Sequence, residues 1–402
     1  MPPRIGFLGA YSLDNPGDNL LGFATRQAVR ELVPVAEQVA FAPEIPVSWF
    51  HHDWSRARGI DCELVRVPAD ESVEWARGLD ALIIGGGGLI LPEPGFRPFL
   101  LGDPARWPGE VPASWSGVCS QCHPWYLDEL AGEYERARRC AERLAYVSVR
   151  NRTTEAYLRG CGYRGVVHVV PDAALSLQEL PGPDLSEEVL RAAGVPAGAL
   201  RVGLTVGRSL RYPRAAPFYA DLLRFLDAVT RRSRPVCVVL FPFAPVYGER
   251  ELLREVAARL PATRPVSTPL RPADAWRLVG HLDLYLGPRF HGMLAAFCQG
   301  TTFVVVDEYL FDWVGSSKNR EFVVDNRLEP HYLAPLLSTK PSTKVEALLG
   351  RVERLGRQGA VSFDEALAGP RARLRAHFGA MVAALGLLPA ENRAEPAPSY
   401  GG

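Results

Sequence analysis

Residues 282–300, LDLYLGPRFHGMLAAFCQG, set an arginine and a histidine one residue apart between two apolar segments. The first segment reads as a strand and the second as a helix, so Arg289 and His291 stand at the corner between them. An arginine in an otherwise apolar turn has to be paired or bind something, because an isolated buried charge is costly. A guanidinium grips carboxylate or phosphate with a planar fork. An imidazole beside it can give or take a proton near neutral pH. Together they suit a small, highly charged anion and a proton transfer.

Residues of this kind need rigid elements behind them. Short apolar runs read as strands at 4–11, 80–90, 145–150 and 165–175, then again at 201–209, 235–245, 282–290 and 301–309. Amphipathic stretches at 20–32, 152–160, 215–231, 248–259 and 291–299 read as helices. Continuous apolar strands separated by helices mean parallel sheets covered on both faces. A Pro/Gly-rich, acidic stretch at 177–200, with a short helix inside it, divides two such sets. The expected fold is α/β, with two doubly wound domains facing across a cleft, over 1–178 and 199–340. Helices rich in Ala, Leu and Arg would follow over 341–388, then a tail of disordered composition over 389–402.

In such sheets ligands bind at the carboxyl ends of the strands. That rule selects further polar residues. Arg150 ends the strand AYVSVR, and Arg208 follows VGLTVG. Asp14 and Asp18 lie in the loop after the first strand, where a helix is expected to start near Asn19. Asp18 reads either as a helix cap or as a carboxylate aimed at a substrate hydroxyl. The glycines 85–88, with Gly86 and Gly87 at their centre, follow ALII and allow either close backbone approach or tight packing. They match neither a dinucleotide fingerprint nor a Walker A loop. Arg150 reads as an ion pair or as an anion ligand. Lys318 follows the strand 301–309.

Bulk composition narrows the classes. The 402 residues carry 47% apolar and 22% charged side chains with zero net charge, as soluble globular proteins do. No basic excess points to nucleic acid. No apolar run approaches about 20 residues, and no export signal is evident, so no transmembrane segment and a cytoplasmic location are expected. The odd count of seven cysteines fits reduced thiols.

Five segments, GAYSLDNPGDN, DALIIGGGGLI, YVSVRNRTTEAYLRGCG, VVPDAAL and GPRFHGMLAAFCQGTTFVVV, occur in that order. Together they resemble the polysaccharide pyruvyl transferase family over roughly residues 4–325. The Arg-x-His turn and the Gly-rich strand end carry the resemblance most strongly. The loop at 12–19 resembles the family's Gly-Asn-x-Gly-Asp turn but reads DNPGDN. The resemblance implies two Rossmann-like domains in a glycosyltransferase-B-like arrangement, the first on the acceptor side and the second on the donor side. It implies phosphoenolpyruvate as donor, with pyruvate moved onto two hydroxyls of a sugar or sugar-like acceptor as a ketal and phosphate released. No cofactor or metal beyond that co-substrate is implied. Arg150, Arg289 and Lys318 become candidate ligands of the donor, His291 the candidate acid/base, and Asp18 a candidate for the acceptor hydroxyl or for protonation. Oligomeric state stays open, with a homo-oligomer compatible.

Two segments fall outside that pattern. GVCSQCHPW has the Cys119-x-x-Cys122-His123 spacing of c-type haem attachment and three of the four ligands a zinc site needs. Small thiols filling a strand end, with His123 as an acceptor contact, is the simpler reading. WFHHDW, 49–54, reads as an acceptor surface or as a loop pinned by aromatics. Two other functions compete. A nucleotide-sugar glycosyltransferase of the same fold would want Asp307 or Glu308 to hold a ribose. A non-catalytic binding protein would lack the cationic cluster.

Overall fold

A computed structural model describes residues 1–11, 15–43, 64–67, 73–90, 98–101, 104–120, 130–207, 216–230, 236–245, 248–260, 262–307, 317–333, 350 and 363–388. The chain forms two compact units. The first comprises Met1–Asp14, Asp18–Glu179 and the chain from Ala368 onward; the second comprises Asn15–Gly17 and Leu180–Leu367.

The strands of the first unit are β1 (Arg4–Leu8), β2 (Glu37–Pro43), β3 (Leu64–Val67), β4 (Ala81–Ile90), β5 (Ala113–Ser120), β6 (Tyr146–Val149) and β7 (His168–Val169). They pair in the order β3-β2-β1-β4-β5-β6-β7, parallel throughout. The order reverses beside β1, where β1 pairs on one side with β2 and on the other with β4. A doubly wound sheet binds its ligand at such a switch point. Helix α1 (Pro16–Leu32) follows β1, and α2 (Leu130–Arg143) and α3 (Arg152–Gly160) flank β6.

Local chemistry explains the departures from the sequence reading. Helix α1 starts at Pro16, a residue suited to a first helical position because its missing N–H has no partner there anyway. Asn15 precedes it, and its Oδ1 accepts the Gly17 N–H at 3.2 Å. Asp18 therefore lies in the first turn, where a carboxylate complements the helix dipole. Strand β4 does not stop at the glycines but runs through them. The apolar run 165–175 pairs only at His168–Val169. Pro171 has no N–H for the ladder, and a 3-10 turn over Ala173–Ser176 follows.

The second unit repeats the plan with β8 (Leu200–Leu204), β9 (Val236–Leu240), β10 (Thr263–Pro265), β11 (Leu284–Gly287), β12 (Thr302–Val306) and β13 (Tyr332–Leu333). Their order is β10-β9-β8-β11-β12-β13, again all parallel. Its helices are α4 (Ser186–Ala192), α5 (Ala216–Thr230), α6 (Glu249–Arg259), α7 (Pro272–Gly280), α8 (Phe290–Gln299) and α9 (Lys318–Asp325). Val202, Leu204, Val238, Leu240, Leu286 and Val304 of the sheet bury against Phe225, Leu226, Leu253 and Val256 of α5 and α6.

The last described helix, α10 (Asp364–Ala384), carries the chain back to the first unit. Its His377 is buried, with Nε2 at 3.2 Å from Ser116 Oγ and Nδ1 at 3.1 Å from Tyr146 OH. Arg371 Nε donates to the Leu175 carbonyl at 3.0 Å. No described helix is long and apolar enough to cross a membrane.

Candidate functional site

The turn after β11 is built by two close approaches. A Cβ on Gly287 would fall 2.0 Å from Thr205 Oγ1, and one on Gly292 would fall 2.1 Å from Tyr285 OH. Both hydroxyls are buried and lie 2.7 Å apart. Only glycine lets the chain turn over this pair and start α8 at once. The turn delivers Arg289 just ahead of α8 and His291 into its first turn.

Arg289 answers the question its position raises. Its Nε donates to Glu249 Oε1, at the first residue of α6. Glu249 has no exposed side-chain surface. Its Oε2 accepts the N–H groups of Phe243 and Ala244, both at 2.6 Å. Burial pushes the Glu249 carboxyl up from its usual range, opposed first by the Arg289 charge and then by those bonds.

His291 is buried, and its ring meets Phe290 edge-on at 5.5 Å between centroids. A Cβ on Gly17 would sit 1.9 Å from His291 Nδ1, so position 17 tolerates no side chain. Lys318 opens α9, and its Nζ lies 5.7 Å from the centre of the Phe290 ring. Asn319 Nδ2 donates to the Pro288 carbonyl at 2.9 Å, which ties the head of α9 to the Arg289 turn. The second unit thus gathers Arg289, His291 and Lys318 around one corner.

The first unit has its own cluster at the ends of β4, β5 and β6. Gly86 and Gly87 adopt φ of +74° and +98°, a region that side chains rarely enter. A Cβ on Gly86 would press Leu21 Cβ at 2.7 Å, and one on Gly87 would lie 2.7 Å from Asp18 Oδ1. Leu21 and Asp18 are three residues apart on one face of α1, so the glycines let this helix lie against the strand. Arg150, directly after β6, has a side chain only 3% exposed. It donates to Asp172 Oδ2 at 2.7 Å and to Cys119 Sγ at 2.8 Å. Asp172 Oδ1 also accepts the Ala174 N–H at 2.9 Å. Burial alone would favour the neutral guanidinium; Cys119, Asp172 and Asp18 outweigh it and hold Arg150 charged.

The strand-end rule thus missed the two acids that hold the arginines. In the sequence, Asp172 falls inside the apolar run 165–175 and Glu249 inside the helical stretch 248–259, so neither stands at an expected strand end. Asp307, the ribose-holding alternative, is fully buried; its Oδ2 accepts from Ser317 Oγ and, at 2.9 Å, from Tyr332 OH. Asp14, Arg208, His123, Cys122, Glu308 and the run 49–54 lie outside the described residues. No group of three or more His, Cys, Asp or Glu side chains that could hold a metal occurs among the described residues.

Residues 15–308 match the family model described as polysaccharide pyruvyl transferase. The chain belongs to that family. No match to a curated protein was found by sequence. Among solved structures, this polysaccharide pyruvyl transferase family member is similar to the S. aureus MnaA–UDP co-structure, with TM-score 0.60 and 11% identity over 96% of this chain and 98% of the other. It is also similar to UDP-GlcNAc 2-epimerase from Neisseria meningitidis bound to UDP-GlcNAc, with TM-score 0.58 and 10% identity over 93% and 99%. A third is a putative UDP-N-acetylglucosamine 2-epimerase from Listeria monocytogenes, with TM-score 0.56 and 10% identity over 94% and 97%. Identities this low speak to the fold, two parallel α/β sheets of the glycosyltransferase-B type.

Proposed function

We propose that this chain is a pyruvyltransferase that moves pyruvate from phosphoenolpyruvate onto two hydroxyls of a sugar or sugar-like acceptor. The observation that carries this reading is the corner after β11, where Arg289 and His291 flank Phe290 and the Lys318 ammonium lies 5.7 Å from its ring, in a member of this family. Two cations there suit a donor bearing a phosphate and a carboxylate.

Phosphoenolpyruvate is an enol ester, so protonation of its methylene carbon leaves a cation-like centre at C2. His291 is assigned that proton. One acceptor hydroxyl adds to C2 and gives up its proton, for which Asp18 is the assigned base. Phosphate then leaves with the C2–O bonding pair, and the second hydroxyl adds to close the ketal. One hydroxyl proton replaces the one spent on the methylene, and the other leaves with phosphate. Arg289 and Lys318 hold the donor's charge and stabilise the departing phosphate. Arg150, held between Asp172 and Cys119, supplies positive charge to the first unit's cluster and acts on Asp18 through its field.

Calorimetric titration with phosphoenolpyruvate, beside UDP-GlcNAc, tests the donor. Binding of phosphoenolpyruvate that disappears in Arg289→Ala is the expected result. UDP-GlcNAc binding with no response to phosphoenolpyruvate would overturn it in favour of a nucleotide-sugar enzyme.

A further inference from the structure

We infer that Glu249 is a positioning residue that fixes the plane of the Arg289 guanidinium. The inference rests on the donor reading above for its kinetic arm only.

The carboxylate is itself immobilised. It is fully buried, it heads α6, and its Oε2 is held by two backbone N–H groups at the end of β9. That leaves Oε1 for the Nε–H of Arg289. With Nε engaged, the guanidinium plane is set. A bidentate grip depends on that plane, not only on the charge. The pair links the head of α6, after β9, to the turn after β11, and β8 lies between those two strands and pairs with both.

The chemistry of the amide isostere makes a sharp test. In Glu249→Gln the side-chain oxygen can still accept from Phe243 and Ala244. The remaining atom becomes an N–H donor facing the Nε–H donor of Arg289. The backbone anchor survives and the arginine contact is lost.

Steady-state kinetics on Glu249→Gln, Arg289→Ala and the double variant read the coupling. The expected result is a rise of at least tenfold in the KM for phosphoenolpyruvate in Glu249→Gln, a smaller change in kcat, and a double variant no worse than Arg289→Ala alone. An unchanged KM, or two losses that multiply in full, overturns the inference. Arg289→Lys keeps the charge without the fork and should lose donor affinity as well; donor affinity retained there also overturns it, whether or not Glu249→Gln folds. The arginine Nε–H resonances supply a readout that needs no donor. The Arg289 signal should be protected from exchange in the wild type and lost in Glu249→Gln, and an unprotected wild-type signal overturns the pairing. A wild type that ignores phosphoenolpyruvate but shows the protected signal overturns the donor reading alone.

Discussion

Asp18 Oδ1 lies 2.7 Å from where a side chain on Gly87 would begin. The carboxylate is seated by an absence: strand β4 must present bare backbone there, at φ +98°, for the first turn of α1 to bring Asp18 to the strand end.

Gly87→Ala therefore carries two costs, and Gly78 separates them. Gly78 has φ +83° with nothing within 4 Å of a built Cβ. Alanine at either position should cost about 1–2 kcal/mol of stability from backbone strain. Gly87→Ala alone should also displace Asp18 and lower kcat at least tenfold. Thermal melts and transfer assays on both variants check this. Equal activity in the two would remove Asp18 from the assigned chemistry.

Arg289→Ala should destabilise the second unit by about 3 kcal/mol near pH 8, because it leaves the Glu249 carboxylate buried with only backbone donors. Burial already pushes that carboxyl up. Without the guanidinium it titrates higher still, so protonation relieves the cost as pH falls. The penalty in urea melts should thus shrink between pH 8 and pH 5. A constant penalty would mean that Glu249 is not the group left exposed to the loss.

His377 makes the first unit acid-sensitive. Burial, helped by His168, pushes its pKa down to about 3. In the unfolded chain a histidine titrates near 6.5. Below that value the unfolded chain binds a proton that the folded one refuses, so stability falls as pH drops from about 6.5 toward 3, by about 1.4 kcal/mol per pH unit. His377→Gln should flatten this slope in denaturant melts between pH 7 and pH 5. The same slope in the variant would place the sensitivity elsewhere.

The surface strap around His281 has the opposite sign. Its ring lies 2.9 Å from both Glu187 and Asp184. Burial alone would lower the His281 pKa, but the two carboxylates raise it. Its contribution is present below about 6.5 and fades as pH rises through the raised value. Asp184 and Glu187 are held down to about 2, so their part is full above about 4 and is lost as pH falls from there toward 2. These groups are partly exposed, and salt should weaken them. His281→Gln should lower the melting temperature by a degree or two at pH 5.5 and less at pH 8.

The resemblance read from five short segments is the family that the chain belongs to, and the reading of the fold rested on apolar runs. Those runs mark central parallel strands because both of their faces are covered, so the pattern needs no knowledge of neighbours. Strand β5, ASWSGVCS, escaped that reading. Ser114 and Ser116 are buried polar residues, and Ser116 is matched by His377, 261 residues away. A sequence shows such a serine as a surface residue because its partner is set by the fold.

The Arg-x-His corner was visible in the same way, since a charge between two apolar segments demands an explanation within a few residues. Which acid supplies it was not. Glu249 stands 40 residues from Arg289 and Asp172 stands 22 from Arg150, and nothing in either interval marks the pairing. The sequence by itself determined the central apolar strands, their alternation with helices and the polar residues at their ends, because periodicity and turn chemistry act over a few residues. Only the tertiary structure decided which carboxylate backs which arginine, which glycine yields to Asp18, and that α10 returns to the first unit. Those choices depend on strand order and helix packing, which bring together groups far apart along the chain.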